Sequence, residues 1–191
     1  AVRSSFSLSN NEYFISYEDL TKRFDKQIVF HRMAYNSSNE KYILKHHLHD
    51  VNYILKWPFS PVLALKGTAI LKYDNQVYKS INDFTLSKPS VNTYWGGTRI
   101  ELVFDNTRPV TTNIMYGLRY KIFAEYYQGI NKSELNLITA GFDFRHYSKI
   151  HRTFIWANRL AYGTSFGSTR LLYYLGGTDN TFLPSFNTEQ Q

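Results

Sequence analysis

The chain contains no cysteine. That excludes a disulfide framework, a thiolate metal site and a cysteine nucleophile, and it leaves the redox compartment open. Long apolar runs are missing too. The longest stretches free of Asp, Glu, Lys and Arg are 10 residues (89–98, 109–118 and 160–169), about half of what a membrane-spanning helix needs, so crossing a bilayer with helices is excluded. Charge is scarce, at 19% of residues, below the usual quarter or so. The net charge is +7, yet the 22 basic residues are scattered along the chain, with no run longer than Lys22-Arg23. No basic block and no ribonucleoprotein-type aromatic motif is present, so nucleic acid is not an expected partner. Ala1 to Asn10 lack the basic, apolar and small-residue succession of a secretory signal. The Gly-, Asn- and Thr-rich stretch leading to Gln190 and Gln191 is neither a closing strand nor a docking helix. A piece of a longer chain is therefore expected.

Aromatic residues are abundant: Tyr 16, Phe 14 and Trp 3. From residue 62 onward the apolar positions recur every second residue, the period of a strand. In 62–73, Leu63, Leu65, Gly67, Ala69, Leu71 and Tyr73 alternate with Val62, Ala64, Lys66, Thr68, Ile70 and Lys72. In 98–106, Ile100, Leu102 and Phe104 alternate with Arg99, Glu101, Val103 and Asp105. The same division recurs in 116–127, 135–146 and 153–163, where Asn158 interrupts the last apolar face. Such segments have the length of a tilted membrane-crossing strand, whereas soluble strands commonly hold about five or six residues. Turn chemistry is expected at Asp74-Asn75, Pro89-Ser90, Asn106-Thr107-Arg108-Pro109, Gly129-Ile130-Asn131 and Ser148-Lys149. Upstream, 12–17, 27–35 and 40–49 read as strands, and Trp57-Pro58-Phe59-Ser60-Pro61 as a break. No helix longer than a turn or two and no internal boundary is expected, so residues 1–191 read as a single region whose clearest strands lie in 62–175.

A sheet with one apolar and one charged face serves equally as half of a soluble sandwich or as an inside-out barrel in lipid. Strand length favours the barrel. So do small residues on the charged face (Gly117, Gly141, Ala157, Ala161, Gly163) and aromatics near strand ends (Tyr94 with Trp95, Tyr126 with Tyr127, Tyr147, Phe154 with Trp156, Tyr173 with Tyr174). The expected fold is an all-β, antiparallel transmembrane β-barrel, of which this chain makes part. An open sheet edge in hydrocarbon would leave backbone groups unpaired.

Several segments together resemble one family. They are Gly96-Gly97-Thr98-Arg99, Val103-Phe104-Asp105-Asn106-Thr107, Gly117-Leu118-Arg119-Tyr120-Lys121-Ile122, Glu125-Tyr126-Tyr127, Asp143-Phe144-Arg145-His146-Tyr147 and Tyr173-Tyr174-Leu175-Gly176-Gly177. The set, covering roughly 60–187, is similar to the carboxy-terminal barrels of the bacterial surface antigen family, the BamA-like and TamA-like outer-membrane assembly and translocation superfamily. The particular flavour looks like that of large outer-membrane proteins in which a periplasmic β-propeller precedes the barrel. The resemblance implies a bacterial outer-membrane location, with outer-membrane lipid and lipopolysaccharide as surroundings and other outer-membrane or periplasmic complex subunits as partners. It implies a role in protein assembly or translocation, or as the anchor of such a complex. In that family Leu-Gly-Gly leads into a loop that folds back into the barrel, which makes Gly176 and Gly177 the start of an inserted loop. No Arg-Gly dipeptide occurs here, so the family's Arg-Gly-aromatic loop tip is missing.

By parity, Glu101, Asp105, Arg119, Lys121, Glu125, Asp143, Arg145 and Arg159 share the charged face. They are the candidate lumen-facing network, either as compensating pairs that fill the interior or as the lining of a polar path. Other chemistry is discounted. Gly163-Thr164-Ser165-Phe166-Gly167 matches the nucleophile-elbow pattern, but the last histidine, His151, lies upstream of Ser165, so the Ser, acid, His order of that fold cannot be completed. His47 and His49 share a strand face beside His46, with only Asp50 near, and read as a solvated strand rim rather than a metal site. His146 reads the same way. Asn36-Ser37-Ser38 and Asn131-Lys132-Ser133 match glycosylation acceptors and read as exposed loops. No catalytic residue, metal or cofactor is expected, and the alternatives to an assembly role are an outer-membrane solute channel or a soluble ligand-binding β-barrel.

Overall fold

The computed structural model describes residues 2–6, 11–38, 43–79, 83–111, 114–151 and 154–169. They form an all-β, antiparallel sheet. The strands are β1 (Val2–Phe6), β2 (Asn11–Asp19), β3 (Asp25–Ser38), β4 (Ile43–Ser60), β5 (Leu63–Tyr78), β6 (Val91–Asp105), β7 (Arg108–Thr111), β8 (Ile114–Gly129), β9 (Asn136–His151) and β10 (Phe154–Phe166). One helical turn, α1 (Asp83–Leu86), precedes β6. The order of pairing follows the order of the sequence, β1-β2-β3-β4-β5-β6-β8-β9-β10, with the short β7 pairing β8. Among the described residues no ladder joins β1 to β10, so the sheet is open.

The chain groups into two compact units, and β4, β5, β6 and β8 contribute residues to each. The first comprises residues 1–55, 68–98 and 127–134, and the second 56–67, 99–126 and 135–191.

Local chemistry sets the turns. In the first unit the Asp19 carboxylate accepts hydrogen bonds from the Thr21 hydroxyl (2.6 Å) and N–H (3.0 Å). In the second unit Asp105 receives the same pair from Thr107, at 2.6 and 3.0 Å. Ser60 Oγ accepts from Leu63 N–H at 3.1 Å and folds the Pro61-Val62 turn. Gly117 adopts φ 118°, and a side chain there would meet Asn106. Asn131, in an expected loop, donates to Asn92 O (2.8 Å) and accepts from Tyr94 N–H (3.0 Å), so its amide extends the ladder of β6.

Four expectations are corrected. Asp74-Asn75 is not a turn: β5 runs through it to Tyr78. Asp74 Oδ2 accepts from Gln76 of the same strand (3.1 Å) and Asn75 donates to Asn92, so both turn-forming side chains find partners while the backbone stays extended. Ser148-Lys149 is not a turn either, because both residues pair with β10, opposite Trp156 and Ile155. The Trp57–Pro61 segment does not break the chain before β5, since β4 continues to Ser60. Pro58 lies two residues from the end of β4, where a missing N–H costs the ladder least. Asn36 is a half-buried strand residue of β3 and not part of an exposed loop.

The two faces differ in an unusual sense. Leu71, Ile100, Ile122 and Leu160 are 60%, 61%, 53% and 62% exposed. Buried side chains such as Val29, Leu48, Trp95 and Leu137 lie on the opposite face, the one that carries the charges. Trp95 and Tyr127, expected among the strand-end aromatics, are buried on that charged face, while Tyr94 and Tyr126 are exposed on the apolar one. Adjacent strand residues point to opposite sides, so an aromatic pair contributes only one ring to each face.

Small residues let the charged face close up. Gly141 pairs with Gly163 in the β9–β10 ladder, and a Cβ at 141 would lie 2.5 Å from Tyr162 O and 2.8 Å from the Phe123 ring. Gly141→Ala is expected to cost about 1–3 kcal/mol through overpacking, measured as a fall in the urea midpoint. Gly67→Ala, with nothing within 4 Å of the new methyl, should leave the midpoint unchanged or raise it.

Candidate functional site: the charged face

In the second unit, β6, β8, β9 and β10 bring their charged side chains together. Every second residue of these strands faces the same way, which puts Arg99, Glu101 and Asp105 of β6 beside Arg119, Lys121 and Glu125 of β8. Arg99 is the hub. Its Nη1 lies 2.7 Å from Glu125 Oε1 and its Nε 3.2 Å from Glu101 Oε2. Glu125 is buried, 7% exposed, and also accepts from the Thr139 hydroxyl of β9 at 3.2 Å. Lys121 approaches Glu101 at 3.8 Å, and Arg119 approaches Asp105 at 3.5 Å. The Phe123 ring takes Arg99 at 5.1 Å and Lys121 at 5.6 Å from its centre.

A second group joins β9 and β10. Asp143 accepts paired hydrogen bonds from Arg145 (3.1 and 2.9 Å) and from Arg159 (3.3 and 2.9 Å). Two guanidiniums thus fork onto one carboxylate, a geometry that lysine cannot reproduce.

All eight residues expected on this face take part in one of these contacts. Arg99 was absent from the expected set although it shares the parity of Glu101; its position opposite Ile100 was the available signal. The first unit adds a group that sequence reasoning missed. Asp50 lies 3.7 Å from His31 Nδ1 and 3.8 Å from Lys72 Nζ, and His31 Nε2 lies 2.8 Å from Glu12.

The remaining candidates fall elsewhere. His46 is buried and stacks on Tyr35 at 4.7 Å, whereas His49 sits on the other face against Tyr73 at 5.7 Å. Among the described residues no three His, Asp or Glu side chains are placed to hold a metal. His146 pairs with Asn158 across the β9–β10 ladder, and Asn158 accepts from the Trp156 indole at 2.5 Å, so this polar pair interrupts the apolar face. Ser165 is a ladder residue opposite Thr139. Gly167 is the turn residue, at φ 119°, with Asn136 O 2.5 Å from where its Cβ would be. The Gly-x-Ser-x-Gly pattern is here a strand end locked to Asn136, which also accepts from Ser168 N–H at 3.0 Å. Gly176, Gly177, Tyr173 and Tyr174 lie outside the described residues.

Compared with protein-family models, curated proteins and solved structures, the chain matches none.

Proposed function

We propose that the sheet is part of a transmembrane β-barrel in a bacterial outer membrane. Its apolar face lies against lipid and lipopolysaccharide, its charged face is enclosed, and its role is to anchor and gate polypeptide insertion or transport, in the manner of the surface antigen family. One observation carries the membrane reading. The half-buried to exposed rows Val51–Phe59 of β4, Leu63–Tyr73 of β5, Tyr94–Phe104 of β6 and Tyr116–Tyr126 of β8 hold no charged residue on the apolar face. In the same stretches Lys56, Lys66, Lys72, Arg99, Glu101, Arg119, Lys121 and Glu125 all take the other face. Rows of about 9–11 residues match the hydrocarbon thickness for tilted strands, and exposed rows of Leu, Ile, Phe and Tyr on this scale are unfavourable in water. The assembly role rests on the family resemblance. A solute channel is the second reading, favoured by the 54% exposed Arg119 side chain on the charged face. A selective conductance in planar bilayers would support it.

The experiment is site-directed labelling in vesicles. A lipid-sensitive fluorophore at Phe104, Tyr120 or Phe142 should be quenched by a bilayer-centre quencher, and one at Arg119 or Asp143 should not. The reverse pattern, or a chain that stays monodisperse in buffer without detergent, overturns the proposal.

A further inference from the structure

The apolar face of the first unit ends in an ordered change of chemistry. Next to Ile15, Phe30, Val51 and Leu71, which are all exposed, the following position on the same face is Tyr13 on β2, Arg32 on β3, His49 on β4 and Tyr73 on β5, with Tyr94 on β6 beside Gly96. These side chains form a row. Tyr13 and Arg32 are ladder partners, with the guanidinium 5.7 Å from the ring centre. Arg32 acts electrostatically on His49 and His47. His49 lies 5.7 Å from Tyr73, and Tyr73 4.8 Å from Tyr94. One position further come Asn11, His47, Asn75 and Asn92, with Lys45 beyond His47. Hydrocarbon, then amphipathic rings, then amides and cations is the sequence of environments met on leaving a bilayer.

Basic side chains gather in this row: the cations Arg32 and Lys45, and the imidazoles of His47 and His49. Among the described residues none of them makes an ion pair with a carboxylate. Asp50, the nearest in sequence, is on the opposite face of β4 with His31 and Lys72. Two cations on a lipid-facing surface, with Asp50 acting on His49 only from the other face of β4, call for an anion from the membrane itself. At this end the connection from Tyr78 to Val91 is long, and long connections mark the outer side of such barrels, where the leaflet is lipopolysaccharide.

We propose, on the membrane reading above, that Arg32, Lys45, His47 and His49 bind a phosphate group of lipopolysaccharide, with Tyr13 and Tyr73 as flanking ring walls. Arg32 supplies a planar fork for two phosphate oxygens, and Lys45 a point charge at the strand's outer end.

The test uses the full chain reconstituted in phosphatidylcholine vesicles containing lipopolysaccharide or, separately, phosphatidylglycerol of equal charge. Vesicle flotation reads insertion, and the lipid retained after mild detergent extraction and capture reads binding. Each cation near an anionic headgroup is worth about fivefold. Arg32→Gln should therefore lower lipopolysaccharide retention about fivefold, and Arg32→Gln with Lys45→Gln about twentyfold, while Lys66→Gln on the other face changes nothing. Lys45→Gln alone carries the test if the Arg32 variant does not insert. Unchanged retention in the double variant, or equal retention of phosphatidylglycerol, overturns the site. A chain that fails to float overturns the membrane reading as well, whereas one that floats and retains no lipopolysaccharide overturns this site alone.

Discussion

Ile122→Arg should destabilise the inserted protein by about 2–4 kcal/mol, the cost of a cation on the lipid face near the bilayer midplane. Ile122 is 53% exposed in the middle of the uncharged row Tyr116–Tyr126. In a water-soluble protein a substitution at such a site would stay within about 0.5 kcal/mol, and a charge there would improve solubility. The two environments thus predict results that differ several-fold in free energy from a single exposed residue. The measurement is the denaturant midpoint of folding into vesicles. Lys121→Leu, one residue away on the charged face, serves as the contrast: it leaves Glu101 with Arg99 and should cost less. A neutral Ile122→Arg would be incompatible with lipid at that face.

The second large effect is expected at Glu125. Its carboxylate is buried, paired with Arg99 at 2.7 Å and bonded by Thr139 at 3.2 Å. Glu125→Ala should cost about 3 kcal/mol, the low end for breaking a buried pair, because Arg99 keeps Glu101 as a neighbour and is itself 28% exposed. Replacing both Glu125 and Arg99 with leucine should recover much of that loss, since no charge is then left alone. If the double variant is as unstable as the sum of the single ones, the two groups are not coupled and the network reading of this face fails.

Much of the fold was legible because a strand's faces follow from parity alone. The division of Ile100, Leu102 and Phe104 from Glu101 and Asp105 needs no partner strand to be read. Which charge meets which does need one. Arg99 reaches Glu125 through the hairpin that joins β6 to β8, and that register depends on the detour through β7 and on Gly117 at φ 118°. Local composition misled where side chains found partners inside the sheet: Asp74 and Asn75 have turn chemistry, but Asp74 accepts from Gln76 along its own strand and Asn75 donates across to Asn92. The row from Tyr13 to Tyr94 was invisible for the same reason, being assembled from five separate segments, whereas the burial of Trp95 and Tyr127 beside exposed neighbours was readable from strand alternation.

The order of pairing has a kinetic meaning. Among the described residues each long strand lies beside its immediate predecessor in the chain, except where β7 intervenes, so these ladders form between neighbouring segments without waiting for a distant one to arrive. Loop-closure entropy is then met in small instalments, which favours rapid, stepwise zipping over slow collective collapse. A polypeptide emerging from one end could lay down its ribbons one after another, each new edge templating the next.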